Sequence, residues 1–100
     1  MSGSERVTRE ALLDLLRGDR ELFEMLQEVG IIPERDLAPV EVEEVLVART
    51  LVRELDVNLA GVEVVLRLRA ELQETRLQVK RLMQAVHETG RQGAKESRDE

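Results

Sequence analysis

The chain has no cysteine, tryptophan or tyrosine among its 100 residues, and Phe23 is its only aromatic residue. Without cysteine, neither disulfides nor thiolate metal sites can form, and this absence fits a reducing cytosol. No apolar run approaches the roughly 18–20 residues needed to span a bilayer, and the first residues lack the apolar segment of a secretory signal. We therefore expect a cytoplasmic protein that does not contact a membrane.

What is present favours helices. Leu, Val, Ala, Ile and Met supply nearly all of the apolar content, and Glu and Arg supply most of the charge. Such a composition, with Val as the main β-forming residue, is typical of long helices. A chain of this length forms one domain at most, with a modest core. We therefore predict an all-α fold.

Two short helices are predicted near the N-terminus. Thr8 is a good N-cap for the first helix, and Gly18 is positioned to end it. Asp19 then caps a second helix, which Gly30 ends. Leu residues recur at helical spacing in both segments. Two short helices joined by a tight turn form a helix-turn-helix unit.

Two longer helices are predicted after a connector at residues 31–39. Pro39 suits the first turn of the third helix, although the Val-rich segment 40–52 also leaves a strand conceivable. Asn58 caps the fourth helix, which contains no proline and one glycine up to residue 89. We predict an N-terminal helix-turn-helix part at residues 1–57, a long dimerisation helix at residues 58–89, and a disordered tail at residues 90–100.

The long helix carries an apolar seam with a seven-residue period. Mostly β-branched residues occupy the a positions and mostly Leu occupies the d positions, as in a coiled coil. Because one helix cannot bury such a seam alone, we expect a homodimer; the alternative is that the second half folds back on the N-terminal helices. The predicted dimerisation residues are Val65, Leu68, Leu72, Val79, Leu82 and Val86.

The sequence offers little to catalysis. His87 is the only histidine, and the heptad pattern places it on the solvent side, where a lone His is rarely a general base or a metal ligand. Acidic pairs are unavoidable among 21 Asp and Glu residues. The glycines match no phosphate-binding loop. We therefore predict no enzymatic activity, no cofactor and no metal site.

Charge is distributed unevenly along the chain. Residues 5–63 contain 15 acidic and 7 basic residues, whereas residues 64–100 contain 6 acidic and 8 basic residues. An acidic N-terminal part repels phosphate backbones, so nucleic-acid binding is disfavoured. The carboxylates either solvate the helices or form a face for a basic protein partner. The predicted partner-binding residues are Glu21, Glu24, Glu28, Glu41 and Glu44.

Residues 55–62 (LDVNLAGV) carry a family resemblance. The segment resembles the junction before the long helix of MerR-like proteins, particularly the heat-shock repressor HspR and the chaperone modulator CbpM. MerR-like regulators place an Arg and an aromatic pair late in the second helix, where they contact DNA. This chain has Glu24, Met25 and Leu26 there, and it has Leu37 where the connector would carry an aromatic residue. These departures favour the CbpM family.

The resemblance implies a MerR-like helical bundle that acts as a non-catalytic chaperone modulator. Members of the CbpM family bind the J-domain of a DnaJ-like (CbpA-like) co-chaperone and inhibit its action with DnaK. A J-domain presents a basic helix, which an acidic surface could attract. The alternatives are a MerR-type or HspR-type DNA-binding transcriptional regulator and a purely structural dimerisation module.

Overall fold

The computed structural model describes the backbone of residues 5–98 and the side chains of residues 5–91. The chain is all-α, which confirms the predicted fold class, and the Val-rich segment is helical rather than a strand. The elements are α1 (Arg9–Leu15), α2 (Arg20–Glu28), α3 (Pro39–Arg49), a π-helical segment (Thr50–Glu54) and α4 (Leu59–Arg98).

The predicted caps open α1 and α2. Thr8 Oγ1 accepts a hydrogen bond from the Ala11 N–H at 3.1 Å, and Asp19 Oδ1 accepts one from the Leu22 N–H at 3.1 Å. Each bond satisfies one of the backbone donors that the first turn of a helix leaves without a partner. The sequence predicts these two caps correctly because each cap depends only on neighbouring residues.

The same two helices end in turns closed by backbone hydrogen bonds. After α1, the Gly18 N–H donates to the Leu13 carbonyl at 2.9 Å, and both Arg17 (φ 59°) and Gly18 (φ 74°) are left-handed. Arg17 therefore takes the position where glycine was expected. After α2, Gly30 has a φ of 84° and takes the expected position.

The apolar residues from Val42 to Leu55 recur as in one continuous helix, but the third helix is not regular over this range. Regular α-helix ends at Arg49, and the Leu55 N–H donates five residues back to the Thr50 carbonyl at 3.1 Å. The wider turn changes which side chains face inward, and Leu55, which a continuous helix would place on the apolar side, is 63 % exposed. Asp56, with a φ of 57°, then ends the segment.

The described residues up to residue 66 form one compact unit around an aliphatic core. The fully buried members include Leu37, which joins the core because its backbone pairs with Val7 in an antiparallel bridge (N···O 2.8 and 2.9 Å). Leu15 at the end of α1 and Val29 after α2 are apolar but lie outside the core, with 48 % and 37 % of their surface exposed. The core residues are Leu12, Leu16, Leu22, Leu26, Ile32, Leu37, Val42, Val45, Ala48 and Val62.

The first turns of α4 belong to this unit. Asn58 caps the helix as predicted, with its Oδ1 accepting from the Gly61 N–H at 2.8 Å. Val62 is buried and Leu59 and Leu66 pack against the core. Two turns of the long helix therefore complete the core of this unit, which ends at residue 66.

The second unit begins at residue 67, and its described part is the remainder of α4. Its described side chains are exposed except for Arg69, which is half-buried. The helix continues to Arg98, so residues 90–98, predicted to be disordered, have helical backbone. Arg, Gln, Ala, Lys and Glu in this stretch favour helix and offset the cost of two glycines. Residues 99 and 100 of the predicted tail lie outside the described residues.

Candidate functional site

A groove of about 330 Å³ in the N-terminal unit collects acidic and apolar side chains. The connector after α2, the start of α3 and the start of α4 supply its walls. Apolar surface comes from the connector and from Leu66, while three carboxylates and one guanidinium supply the charge. The lining residues are Gly30, Ile31, Pro33, Arg35, Glu41, Glu44, Glu63 and Leu66.

Glu41 is held in place by several donors at the start of α3. Its Oε1 accepts from the Ala38 N–H at 2.8 Å, which satisfies a backbone donor at the helix N-terminus. Arg35 binds both carboxylate oxygens, through Nη1 at 2.9 Å and Nη2 at 2.8 Å. Arg6 lies 4.0 Å away. The Arg35 and Ala38 hydrogen bonds lower the pKa of Glu41 to about 2, so this carboxylate is ionised in neutral solution.

Glu44 and Glu63 are the other two carboxylates of the groove. Glu44 follows Glu41 by three residues and so shares its face of α3, whereas Glu63 comes from α4. Among the side chains that the structure describes, neither Glu44 nor Glu63 forms a salt bridge. The groove thus has two carboxylates with no cation bound and one that Arg35 already binds.

The five predicted partner-binding carboxylates do not form one face around this groove. Glu41 and Glu44 line it, but Glu21 accepts from Arg53 Nη2 at 2.9 Å, and Glu24 borders a different hollow. Glu28 is exposed and lines neither cavity. The structure therefore brings together two of the five and leaves the other three outside the groove.

Arg53, on the π-helical segment that follows α3, forms ion pairs with carboxylates at the start of α2. Its Nε and Nη2 bind Asp19 at 2.8 and 3.1 Å, in addition to the contact with Glu21. The Arg53 hydrogen bond, together with the Leu22 N–H, holds the pKa of Asp19 below its ordinary value. Asp19 thus serves both as the cap of α2 and as an ion-pair partner.

A smaller hollow of about 220 Å³ lies between α1 and α2. The guanidinium carbon of Arg9 lies 5.3 Å from the centre of the Phe23 ring, within the range of a cation–π contact. Arg9 Nε is buried without a hydrogen-bond partner in the described part of the chain. Arg20 and Glu24 border the same hollow, so its charges are mixed and it is not a basic patch.

The predicted dimerisation residues of α4 leave apolar surface exposed to solvent. Val65 is half-buried, but the other five are between 49 % and 65 % exposed. Met83, next to this seam, is 64 % exposed. Leu77, on another side of the helix, is 42 % exposed. The seam residues are Val65, Leu68, Leu72, Val79, Leu82 and Val86.

His87 lies on the exposed surface of α4, where Arg91 Nη2 approaches its Nε2 at 2.8 Å. Within the described residues, no cluster of three or more His, Asp or Glu side chains has the arrangement of a metal site. No helix among them is long and apolar enough to cross a bilayer.

No family model, curated protein or solved structure matches this chain.

Sequence reasoning did not predict six of the residues that line the groove, namely Gly30, Ile31, Pro33, Arg35, Glu63 and Leu66. The spacing of Glu41 and Glu44 already placed those two carboxylates on one helix face. Glu63 joins them only because α4 packs against the connector and α3, which is a long-range contact that no local pattern encodes. Ile31 and Leu66 are apolar, and the sequence carries no signal that distinguishes an apolar residue of a groove from one of the core.

Proposed function

We propose that this chain is a non-catalytic chaperone modulator: a homodimer that binds the J-domain of a DnaJ-like co-chaperone and inhibits its action with DnaK. The observation that carries the proposal is the exposed apolar seam of α4. Five of its six residues are about half exposed or more, and a contiguous exposed apolar patch marks a surface for another protein. The seven-residue period suits a second copy of the same helix.

The charge of the N-terminal unit supports a basic protein as the second partner. On α2, Glu24 and Glu28 are exposed, and on α3 Glu44 is half-buried. Opposite charge on a partner helix would speed its association and select its orientation. The resemblance of residues 55–62 to the CbpM junction suggests that this partner is a J-domain.

The same charges disfavour the DNA-binding alternative. In a helix-turn-helix protein the second helix enters the major groove. The exposed residues of α2 here include Glu21, Glu24 and Glu28, against Arg20 alone as an exposed cation. Carboxylates at this position would face phosphate groups of like charge.

An ATPase assay tests the inhibitory role. A purified J-domain protein stimulates the ATPase activity of DnaK, and adding this chain in increasing amounts should return the rate toward the unstimulated value. Albumin at equal concentration is the control for non-specific effects. A stimulated rate that does not change at saturating amounts of the chain would rule out the proposal.

A further inference from the structure

We infer that the groove between the connector, α3 and α4 binds a basic amphipathic helix. In the free protein, Arg35 binds Glu41 and takes the position that a cation of that helix would take in the complex. This inference rests on the proposed function, because it locates the site for the basic protein partner. It differs from the broad acidic face predicted from sequence, since it leaves out Glu21, Glu24 and Glu28 and adds Glu63.

The size and lining of the groove fit side chains of a helix. Its volume of about 330 Å³ lies at the lower end of the roughly 300–1,000 Å³ of small-molecule pockets. Half-buried Ile31 and Leu66 offer an apolar surface, where an aliphatic residue of the partner would pack. Lys or Arg residues one turn away on the partner would then reach Glu44 and Glu63, since residues three or four apart share a helix face.

Arg35 shows how a partner cation would bind. It forms a bidentate pair with Glu41, which is the strong form of guanidinium–carboxylate contact. Its side chain is nevertheless 59 % exposed, whereas that of Glu41 is 28 % exposed. Because a Lys or Arg of the partner would form the same kind of contact with Glu41, it would replace Arg35 at small net cost. Glu41 would remain fixed by the Ala38 N–H at 2.8 Å.

Arg53 provides a matched control for Arg35. Both arginines bind a carboxylate through two nitrogens and lie on the surface of the same unit. Replacing either one by Gln removes one positive charge from the protein. Of the two, only Arg35 lines the groove, however. A general electrostatic effect would change peptide binding equally in both variants, whereas competition for Glu41 would change it only in Arg35→Gln.

The test is a calorimetric titration of the full chain with a synthetic amphipathic helix of Leu, Lys and Ala. A length of about 18 residues keeps such a peptide helical. We expect Arg35→Gln to tighten binding about two- to fivefold and Arg53→Gln to change it less than about twofold. Equal changes in the two variants, or no binding of the peptide by the wild type, would overturn the inference.

A second pair of variants tests the carboxylates. Glu44→Gln with Glu63→Gln should weaken peptide binding about five- to tenfold, whereas Glu24→Gln with Glu28→Gln, which removes the same charge outside the groove, should change it less than about twofold. The reverse order would place the site on α2. Circular dichroism of each variant should show wild-type helix content, since all four side chains are exposed or half-buried.

Repeating both titrations with a purified J-domain separates this inference from the proposed function. If the peptide binds in the groove and the J-domain does not bind, the inference about the groove is supported and the proposed chaperone role is rejected. If the J-domain binds with equal affinity to the wild type, to Arg35→Gln and to the Glu44/Glu63 variant, the proposed chaperone role is supported and the inference about the groove is rejected.

Discussion

Single residues with two roles connect the local structure of this protein to its surfaces. Glu41 satisfies a backbone donor at the start of α3 and also binds Arg35 on the wall of the groove. Asp19 caps α2 and binds Arg53. In both cases a carboxylate that the fold requires for a helix N-terminus also fixes a guanidinium on the surface.

The pKa of Glu41 predicts how stability depends on pH. Folding lowers this pKa from 4.5 to about 2, chiefly through the Arg35 hydrogen bond. The ionised form therefore stabilises the folded state above about pH 4.5, and this contribution is lost as the pH falls from there toward 2. We expect the free energy of unfolding of the wild type to exceed that of Glu41→Gln at pH 6 and to approach it at pH 2.

Urea unfolding of both proteins across this pH range measures the difference. The stability of Arg35→Gln should depend less on pH than that of the wild type and so resemble Glu41→Gln, because this variant lacks the largest cause of the low pKa. A difference between wild type and Glu41→Gln that stayed constant with pH would mean that the carboxylate charge does not matter to folding.

We predict that replacing Gly61, in the first turn of α4, by a larger residue lowers the stability of the protein. A Cβ there would lie 2.7 Å from Val57 Cγ1 and 3.3 Å from Asn58 Oδ1, which is the capping atom. The better helix propensity of Ala, about 1 kcal/mol, is then outweighed by overpacking of about 1–3 kcal/mol. We expect Gly61→Ala to lower the free energy of unfolding by about 1 kcal/mol.

Gly90 is the control, because a Cβ there meets nothing within 4 Å. Gly90→Ala should leave the free energy of unfolding unchanged or raise it by up to about 1 kcal/mol. Thermal unfolding at matched protein concentration compares the two variants. If Gly61→Ala stabilised the protein as well, the close contact with Val57 would carry no energetic weight.

Residue-scale features were predictable from sequence where they depend on neighbours alone. Thr8, Asp19 and Asn58 were expected to cap helices, and each side chain accepts the expected backbone hydrogen bond. The left-handed φ of 59° at Arg17 was not expected, because the neighbouring glycine is the residue that usually takes this conformation.

At the scale of elements, the π-helical segment shows what periodicity cannot predict. Apolar residues in α3 recur as in a regular helix, but the Thr50 carbonyl accepts from Leu55, five residues along. An extra residue in one turn changes the hydrogen-bond partners and rotates the side chains that follow, and the apolar pattern does not specify where such a turn occurs. The segment positions Arg53 against Asp19 and Glu21, a contact across more than 30 residues of sequence that no local signal reveals.

The seam of α4 gives the prediction at this scale. Leu72 and Val79 are 49 % and 54 % exposed, and a coiled coil would bury both. We expect Leu72→Asp and Val79→Asp each to convert a dimer into a monomer, because either change places a charge in the apolar interface. Sedimentation equilibrium measures the mass of each variant.

Leu77 is the matched control for the seam. It is 42 % exposed and lies two residues before Val79, so it points about 160° away around the helix. Leu77→Asp should remain dimeric. A dimer that survived both seam variants would reject the coiled coil, and a monomeric Leu77→Asp would show that the interface is not confined to the seam.

At the scale of the whole molecule, charge and apolar surface are divided between the two units. The N-terminal unit contains the acidic groove, and the second unit contains most of the exposed seam. The all-α class and the long helix followed from composition and periodicity. The groove did not, because α4 must pack beside the connector and α3, and only the folded chain brings Glu63 near Glu41 and Glu44.

The most direct test of the protein-binding role compares two ligands for the same full-length chain. Fluorescence anisotropy would measure its affinity for a labelled J-domain and for a labelled DNA duplex, at about 50 and about 200 mM salt. We predict binding of the J-domain that weakens as salt rises, and no measurable binding of the duplex at either concentration. Tight binding of the duplex, with none of the J-domain, would contradict the central claim that this chain recognises a basic protein partner.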